Sequence, residues 1–279
     1  MRERGAGLQP ATELSIVHRT RPAMGTVFEV LLRGDDEEHL TAVADAILDE
    51  VQRIERLLSR FDPRSEVSRI NWLAARAAVL MDHEVASLLT TCIDAHAWTG
   101  GAFDVTLGSG KSAQRVEEQI PGVEFDPPLR LIRFTAPAVQ LDLGGIGKGY
   151  ALDCAARLLD EHHVEHALLH GGTSSVLARG CGADDEPWRV ALRHPLTGEE
   201  AGIQRLKDES LSCSAVNDQA DVIDPAAGQP LKDPVAVAVI APSATQAEVL
   251  STTLLCMGRR MGERFVLRLA TLSVTAVWL

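Results

Sequence analysis

Beyond Gly34, apolar residues fall at positions 40, 43, 44, 47, 51, 54, 57 and 58. That is helical spacing, and it predicts a helix through GDDEEHLTAVADAILDEVQRIERLLSRF. Acidic residues fill its first turn, where the helix dipole favours them, and FDPRS stops it. ELSIVHRT and GTVFEVLL, ahead of it, read as strands joined by a turn near Pro22. SEVSRINWLA is predicted as a helix capped by Ser65, and HEVASLLTTCIDAHAWTG as another, ended by Gly100 and Gly101. GAFDVTLG is a short strand or turn, and SGKSAQRVEEQIPGVEFDPP is a polar surface excursion. LRLIRF and AVQLDLGG are strands, and GYALDCAARLLDEHH is a helix.

The second half is richer in strands. VEHALLH, SSVLARG and PWRVALRHP come first; then, after a polar stretch, SLSCSAV, ADVID and the buried VAVAVIAP. SATQAEVLSTTLLCMG, capped by Ser243, and RRMGERFVLRLA are helices, and TLSVTAVWL is a final strand. Many strands follow one another directly, which predicts an α+β layered domain rather than a doubly wound parallel sheet. No repeat or linker divides the chain. The expected organisation is a flexible tail over 1–13 and a single domain over 14–279.

Composition narrows the function classes. The net charge of −12 argues against a broad nucleic-acid or anionic-membrane surface. The five cysteines form no CxxC pair, as expected of reduced thiols in the cytoplasm. No apolar stretch is long enough to span a bilayer, and the first residues lack a signal-peptide core, so a cytoplasmic location is expected. Aromatic residues are 4% of the chain, which limits stacking surface for a planar ring.

Candidate chemistry is concentrated at LDLGGIGKGYALD, residues 141–153. Glycines allow close backbone approach, the helix that follows presents free N–H groups, and Lys148 adds a full charge. A phosphate or pyrophosphate site is one reading; a tight strand-to-helix corner is the other. The stretch is neither a Walker A motif, since Asp142 stands at the first glycine position, nor a dinucleotide GxGxxG. Glu248 and Thr252 lie four apart on one helix face and offer hard oxygen donors suited to Mg²⁺, or else form an ordinary solvated and packing pair. HHVEH, with His162, His163 and His166, lacks a fourth ligand for structural zinc.

The order of several stretches is more specific than any one of them. MGT, SRFDPRSEVSRIN, GAFDVTLG, LDLGGIGKGYALD, HGGTSS, PWRVALRHP, VIDPAAGQP and a helix containing AxxLxT follow one another from about residue 22 to the C-terminus. This order resembles the FAD:protein FMN transferase (ApbE) family. The resemblance implies a T-fold-like α+β domain of mixed or antiparallel sheet packed with helices. It implies FAD as substrate and Mg²⁺ as cofactor, with FMN passed to a Thr or Ser hydroxyl of an acceptor protein and AMP released. It also implies that Met24, Phe61, Ala102, Phe103, Asp104, Asp142, Lys148 and Ile223 contact FAD. The metal would be held by the Gly145 carbonyl, Glu248 and Thr252.

Two positions depart from the family pattern. Glu248 stands where an aspartate is usual, one methylene longer, which shifts the expected metal preference toward Mn²⁺ or Ca²⁺. Asp221 stands where the resemblance implies a catalytic histidine, so Asp221, or a histidine such as His170, becomes the expected base. Two other functions remain open on these residues: a relative that binds FAD or another nucleotide without transfer, and a pyrophosphatase releasing FMN and AMP.

Overall fold

A computed structural model describes residues 14–107, 120–194, 197–216, 222–224, 229–231, 236–269 and 273–279. The expected tail at 1–13 and most of the polar excursion after Leu107 lie outside these residues. The chain opens with β1 (Ser15–Ala23) and β2 (Thr26–Gly34), then α1 (Glu37–Leu58) and α2 (Glu66–Leu73). After β3 (Val79–Leu80) and α3 (His83–Trp98) come β4 (Thr106–Leu107), β5 (Val123–Asp126), β6 (Leu131–Phe134) and β7 (Gln140–Leu141). Next are α4 (Gly147–Glu161), β8 (His166–Gly171), β9 (Ser175–Arg179), β10 (Trp188–Arg193), β11 (Glu200–Leu206) and β12 (Glu209–Ala215). The chain closes with β13 (Ile223–Asp224), β14 (Gln229–Pro230), β15 (Ala236–Ala241), α5 (Ala244–Arg268) and β16 (Thr275–Trp278).

A seven-stranded sheet in the order β1-β2-β8-β9-β12-β15-β16 organises the molecule. Every neighbouring pair in it is antiparallel. Helices α1, α4 and α5 cover one face, and the β10–β11 hairpin covers part of the other. The helix spacing read from the sequence is satisfied: Leu40, Val43, Ala44, Ile47, Val51, Ile54 and Leu58 all point into the main core. Asp36, Ser65 and Ser243 cap their helices through side-chain oxygens.

Strand alternation places β12 with a purpose. Leu211 joins the apolar layer under the hairpin and Cys213 packs against it, while Ser210, Ser212 and Ser214 turn toward α5. A polar seam therefore runs between the sheet and the helix.

Three details differ from the sequence reading. The polar stretch after PWRVALRHP contains strand β11, whose only fully buried residue is Leu206, so it carries almost no apolar pattern. VEFD, assigned to the surface excursion, forms β5 against β6. Helix α4 starts at Gly147 rather than Gly149, which puts Lys148 on the helix itself. The two expected C-terminal helices are both present and meet at Gly258, the expected boundary, whose φ of 69° and ψ of 164° are not helical and suit only glycine; α5 runs through this kink.

Candidate functional site

The glycine corner between β7 and α4 is held from two sides. The Asp142 carboxylate accepts the backbone N–H of Gly144 at 2.9 Å and pairs with the Arg60 guanidinium at 2.9 Å. Helix α4 then begins without a side-chain cap. Gly149 lies where the start of α5 presses against α4: a Cβ there would sit 2.4 Å from the Ala244 carbonyl oxygen. One turn further on, Asp153 accepts the backbone N–H groups of Ala244 and Thr245 at 2.8 and 2.9 Å. Helix α4 thus supplies a second cap to α5 and fixes how far along α5 the next turn falls.

That turn carries Glu248, which is 3% exposed. Its Oε1 accepts the Ser175 hydroxyl at 2.6 Å and pairs with Lys148 Nζ at 3.0 Å. Its Oε2 is buried and has no hydrogen-bond partner. A buried acceptor left bare costs on the order of 1–3 kcal/mol, more if charged. Thr252 follows one turn later on the same face, and a Cβ on Gly145 would lie 3.8 Å from its Oγ1. The bare Glu248 oxygen, the Thr252 hydroxyl and the adjoining Gly145 backbone are hard oxygen donors, a set that fits a hard divalent cation.

The serine seam braces this turn. Ser251 bonds Ser212 and Ser214 at 3.0 and 2.8 Å and donates to the Glu248 carbonyl at 3.1 Å. The opposite face of α5 is different: Gln246, Val249 and Leu250 line a cavity of about 500 Å³ between α3 and α5, and neither Glu248 nor Thr252 reaches it.

The structure brings Gly145, Lys148, Glu248 and Thr252 together, with buried Phe103 behind them; its Cε2 would lie 3.9 Å from a Cβ on Gly145. Asp142 joins a second group with Arg60 and Phe61. Phe61 is 78% exposed, and the Arg60 guanidinium lies 4.1 Å from its ring centroid. Asp104 accepts the Thr106 N–H and hydroxyl at 2.8 and 2.6 Å. Burial raises its carboxyl above the usual range, against the pull of Thr106 and His96. Ala102 is half-buried beside Phe103.

Met24 sits at the β1–β2 turn with a φ of 51°, its N–H donated to Glu55 at 2.6 Å. No described contact joins Met24 to the Glu248 group. Asp221 lies outside the described residues, as does the side chain of Ile223 on β13. His170 is opposite Glu29 and Val176, on the hairpin face of the sheet, and so points away from Glu248. Burial holds its imidazole below the usual range.

Two contributors carry no signal of their own in the sequence. Arg60 lies within SRFDPRSEVSRIN and Ser175 within HGGTSS, but only the fold shows what each touches. A second cluster, Glu50, Glu84 and Cys154, has metal-ligand types in reach of one another. Arg53 already bonds both carboxylates at 2.7–2.9 Å, and the Tyr150 hydroxyl donates to Glu84 at 2.8 Å. Its charge is answered within the protein.

A profile of the ApbE family matches residues 24–276. The chain belongs to the ApbE family. It is 27% identical over 293 residues to a FAD:protein FMN transferase of Escherichia coli strain K12, covering 92% of this chain and 82% of that one. The corresponding protein of Salmonella typhimurium is 27% identical over 280 residues, covering 88% and 79%. The crystal structure of the ApbE protein of Thermotoga maritima superposes with a TM-score of 0.81 at 25% identity, over 95% of this chain and 94% of that chain. The flavin transferase ApbE of Vibrio cholerae has the same fold, with a TM-score of 0.80 at 21% identity over 95% and 94%. The layered α+β domain expected from the sequence is therefore the ApbE fold. In this ApbE protein the Glu248 carboxylate is shared between a strand hydroxyl and the first turn of α4. Among the described residues, no helix is long and apolar enough to cross a membrane.

Proposed function

We propose that this protein transfers FMN from FAD to a Thr or Ser hydroxyl of an acceptor protein, with AMP as the leaving group and a divalent cation, Mg²⁺ or Mn²⁺, as cofactor. The observation that carries the reading is the bare, buried Oε2 of Glu248 at the glycine corner, beside Thr252 and Gly145. Glu248, Thr252 and the Gly145 carbonyl would hold the cation, which would supply charge neutralisation for the phosphoryl oxygens. In the reaction the acceptor oxygen bonds to the flavin-side phosphorus, and the phosphorus–oxygen bond to AMP breaks. The acceptor proton goes to a base, a role we assign to Asp221.

The chain's own groups do the positioning. The Gly144–Gly145 corner lets the pyrophosphate approach the backbone, and Lys148 offers it a charge. Phe61, with one ring face covered by Arg60, leaves its other face for a planar ring of the ligand. Arg60→Gln unlatches Asp142 and uncovers Phe61. Because this pair is partly exposed, the expected effect is moderate: KM for FAD rises roughly threefold to tenfold with little change in kcat. An unchanged KM removes Arg60 from the site.

Mass spectrometry tests the whole reading. Purified protein is mixed with FAD and an acceptor carrying a D-x-x-[ST]-G-A-[ST] segment, with Mg²⁺ or with chelator. The acceptor gains the mass of FMN, and AMP appears, only when metal is present. Free FMN with unmodified acceptor makes the protein a pyrophosphatase. Intact FAD in every sample makes it a binding protein.

A further inference from the structure

We propose that Lys148 sets the order in which the site fills, nucleotide first and divalent cation second. The inference rests on the transferase reading and adds to it a role for one ion pair.

Lys148 Nζ lies 3.0 Å from Glu248 Oε1, and the two side chains are 24% and 4% exposed. A carboxylate this deeply buried is costly to leave without a charged partner, and the Lys148 ammonium is that partner. The other contact to Oε1, the Ser175 hydroxyl, is neutral. The second oxygen, Oε2, has no hydrogen-bond partner and is the one left for a cation. A divalent ion there places two cationic centres on the two oxygens of one carboxylate, and the pocket acquires two net positive charges. The two cationic centres repel across the Glu248 carboxylate, the buried part of the site.

A pyrophosphate carries the opposite charge, so its interaction with Lys148 has the opposite sign. The Lys148 ammonium attracts it before any metal is present, and with both ligands bound the pocket is neutral again. The attraction between cation and pyrophosphate exists with or without Lys148, so the lysine does not create their mutual dependence. It weakens the cation's hold on the empty protein and strengthens the nucleotide's. Removing the charge reverses the preference, because Glu248 then faces the cation alone.

The test compares native protein with Lys148→Gln, which loses the charge and keeps a donor for Oε1. Mn²⁺ binding without nucleotide is read from the electron paramagnetic resonance signal of the free ion, and FAD binding in EDTA from flavin fluorescence. In Lys148→Gln, Mn²⁺ is expected to bind roughly tenfold or more tightly, and FAD to bind more weakly by a similar factor. Lys148→Arg keeps the charge and should hold both affinities near native. Equal Mn²⁺ affinity in native protein and Lys148→Gln overturns the proposal, as does unchanged FAD affinity.

A second measurement needs no variant. Native protein passed through gel filtration should retain FAD in EDTA and retain Mn²⁺ only when FAD is present; Mn²⁺ retained alone overturns the order. If FAD binds under no condition, the transferase reading fails, and the FAD arm reports that separately from the Mn²⁺ comparison.

Discussion

Glu248→Gln is expected to lower metal-dependent FMN transfer at least about a hundredfold, since even loss of a group that only supports a metal ligand costs 10–100-fold. The substitution preserves shape and can still accept the Ser175 hydroxyl, but it removes the negative charge from the buried end of the side chain. Lys148 loses its partner and, being 24% exposed, has a path to solvent, so the fold should persist. Transfer measured by mass spectrometry across a Mn²⁺ titration gives the result, with a thermal melt confirming the fold. Glu248→Asp is the informative companion: a shorter carboxylate retreats from Ser175 and Lys148 but keeps its charge, and activity should survive. Native rates from Glu248→Gln would remove this residue from the site.

Gly149→Ala is expected to be the most disruptive small change in the glycine corner. The new methyl would lie 2.4 Å from the Ala244 carbonyl oxygen and 2.9 Å from the Thr245 nitrogen, backbone atoms that cannot swing aside. The two helices must separate, and the Asp153 bonds that cap α5 stretch with them. A loss of about 3 kcal/mol follows from overpacking plus a weakened cap, which lowers Tm by about 6–12 °C in a domain of this size. Gly147→Ala serves as the control. Its Cβ meets only Leu58 Cδ1 at 3.9 Å, an ordinary contact, so its effect should stay within about 0.5 kcal/mol. Similar melting temperatures for the two variants would show that α4 and α5 are not locked at Gly149.

Much of this fold is legible in the sequence because its patterns are dense. Helix α1 repeats its apolar positions over many turns, and β15 is buried at every residue, so neither needs tertiary context to be recognised. Strand β11 escapes because its partner covers one side and water the other, leaving Leu206 as the one fully buried position. The glycine corner is legible as a place of close approach, but not what approaches it. Its neighbour, Ala244, belongs to a helix from the far end of the chain. Glu248 and Thr252 are legible as a pair on one face, whereas Ser175, 73 positions away from Glu248, becomes its partner only through the β9–β12–β15 register. His170 illustrates the limit of residue type as a guide. A histidine beside a glycine pair is an apt base on paper, and strand alternation turns it to the other face.

The antiparallel order of the sheet also has a history written into it. On a ribosome the β1–β2 hairpin emerges first, yet the second edge of β2 is closed only by β8, after α1 through α4 have been made. During that interval the hairpin displays open backbone donors and acceptors, the kind of edge that neighbouring nascent chains can join. Closure at the other border waits longer still, because β15 receives its outer neighbour, β16, from the last residues of the chain. A sheet assembled from such distant pairings folds slowly, because each closure waits on segments far apart along the chain.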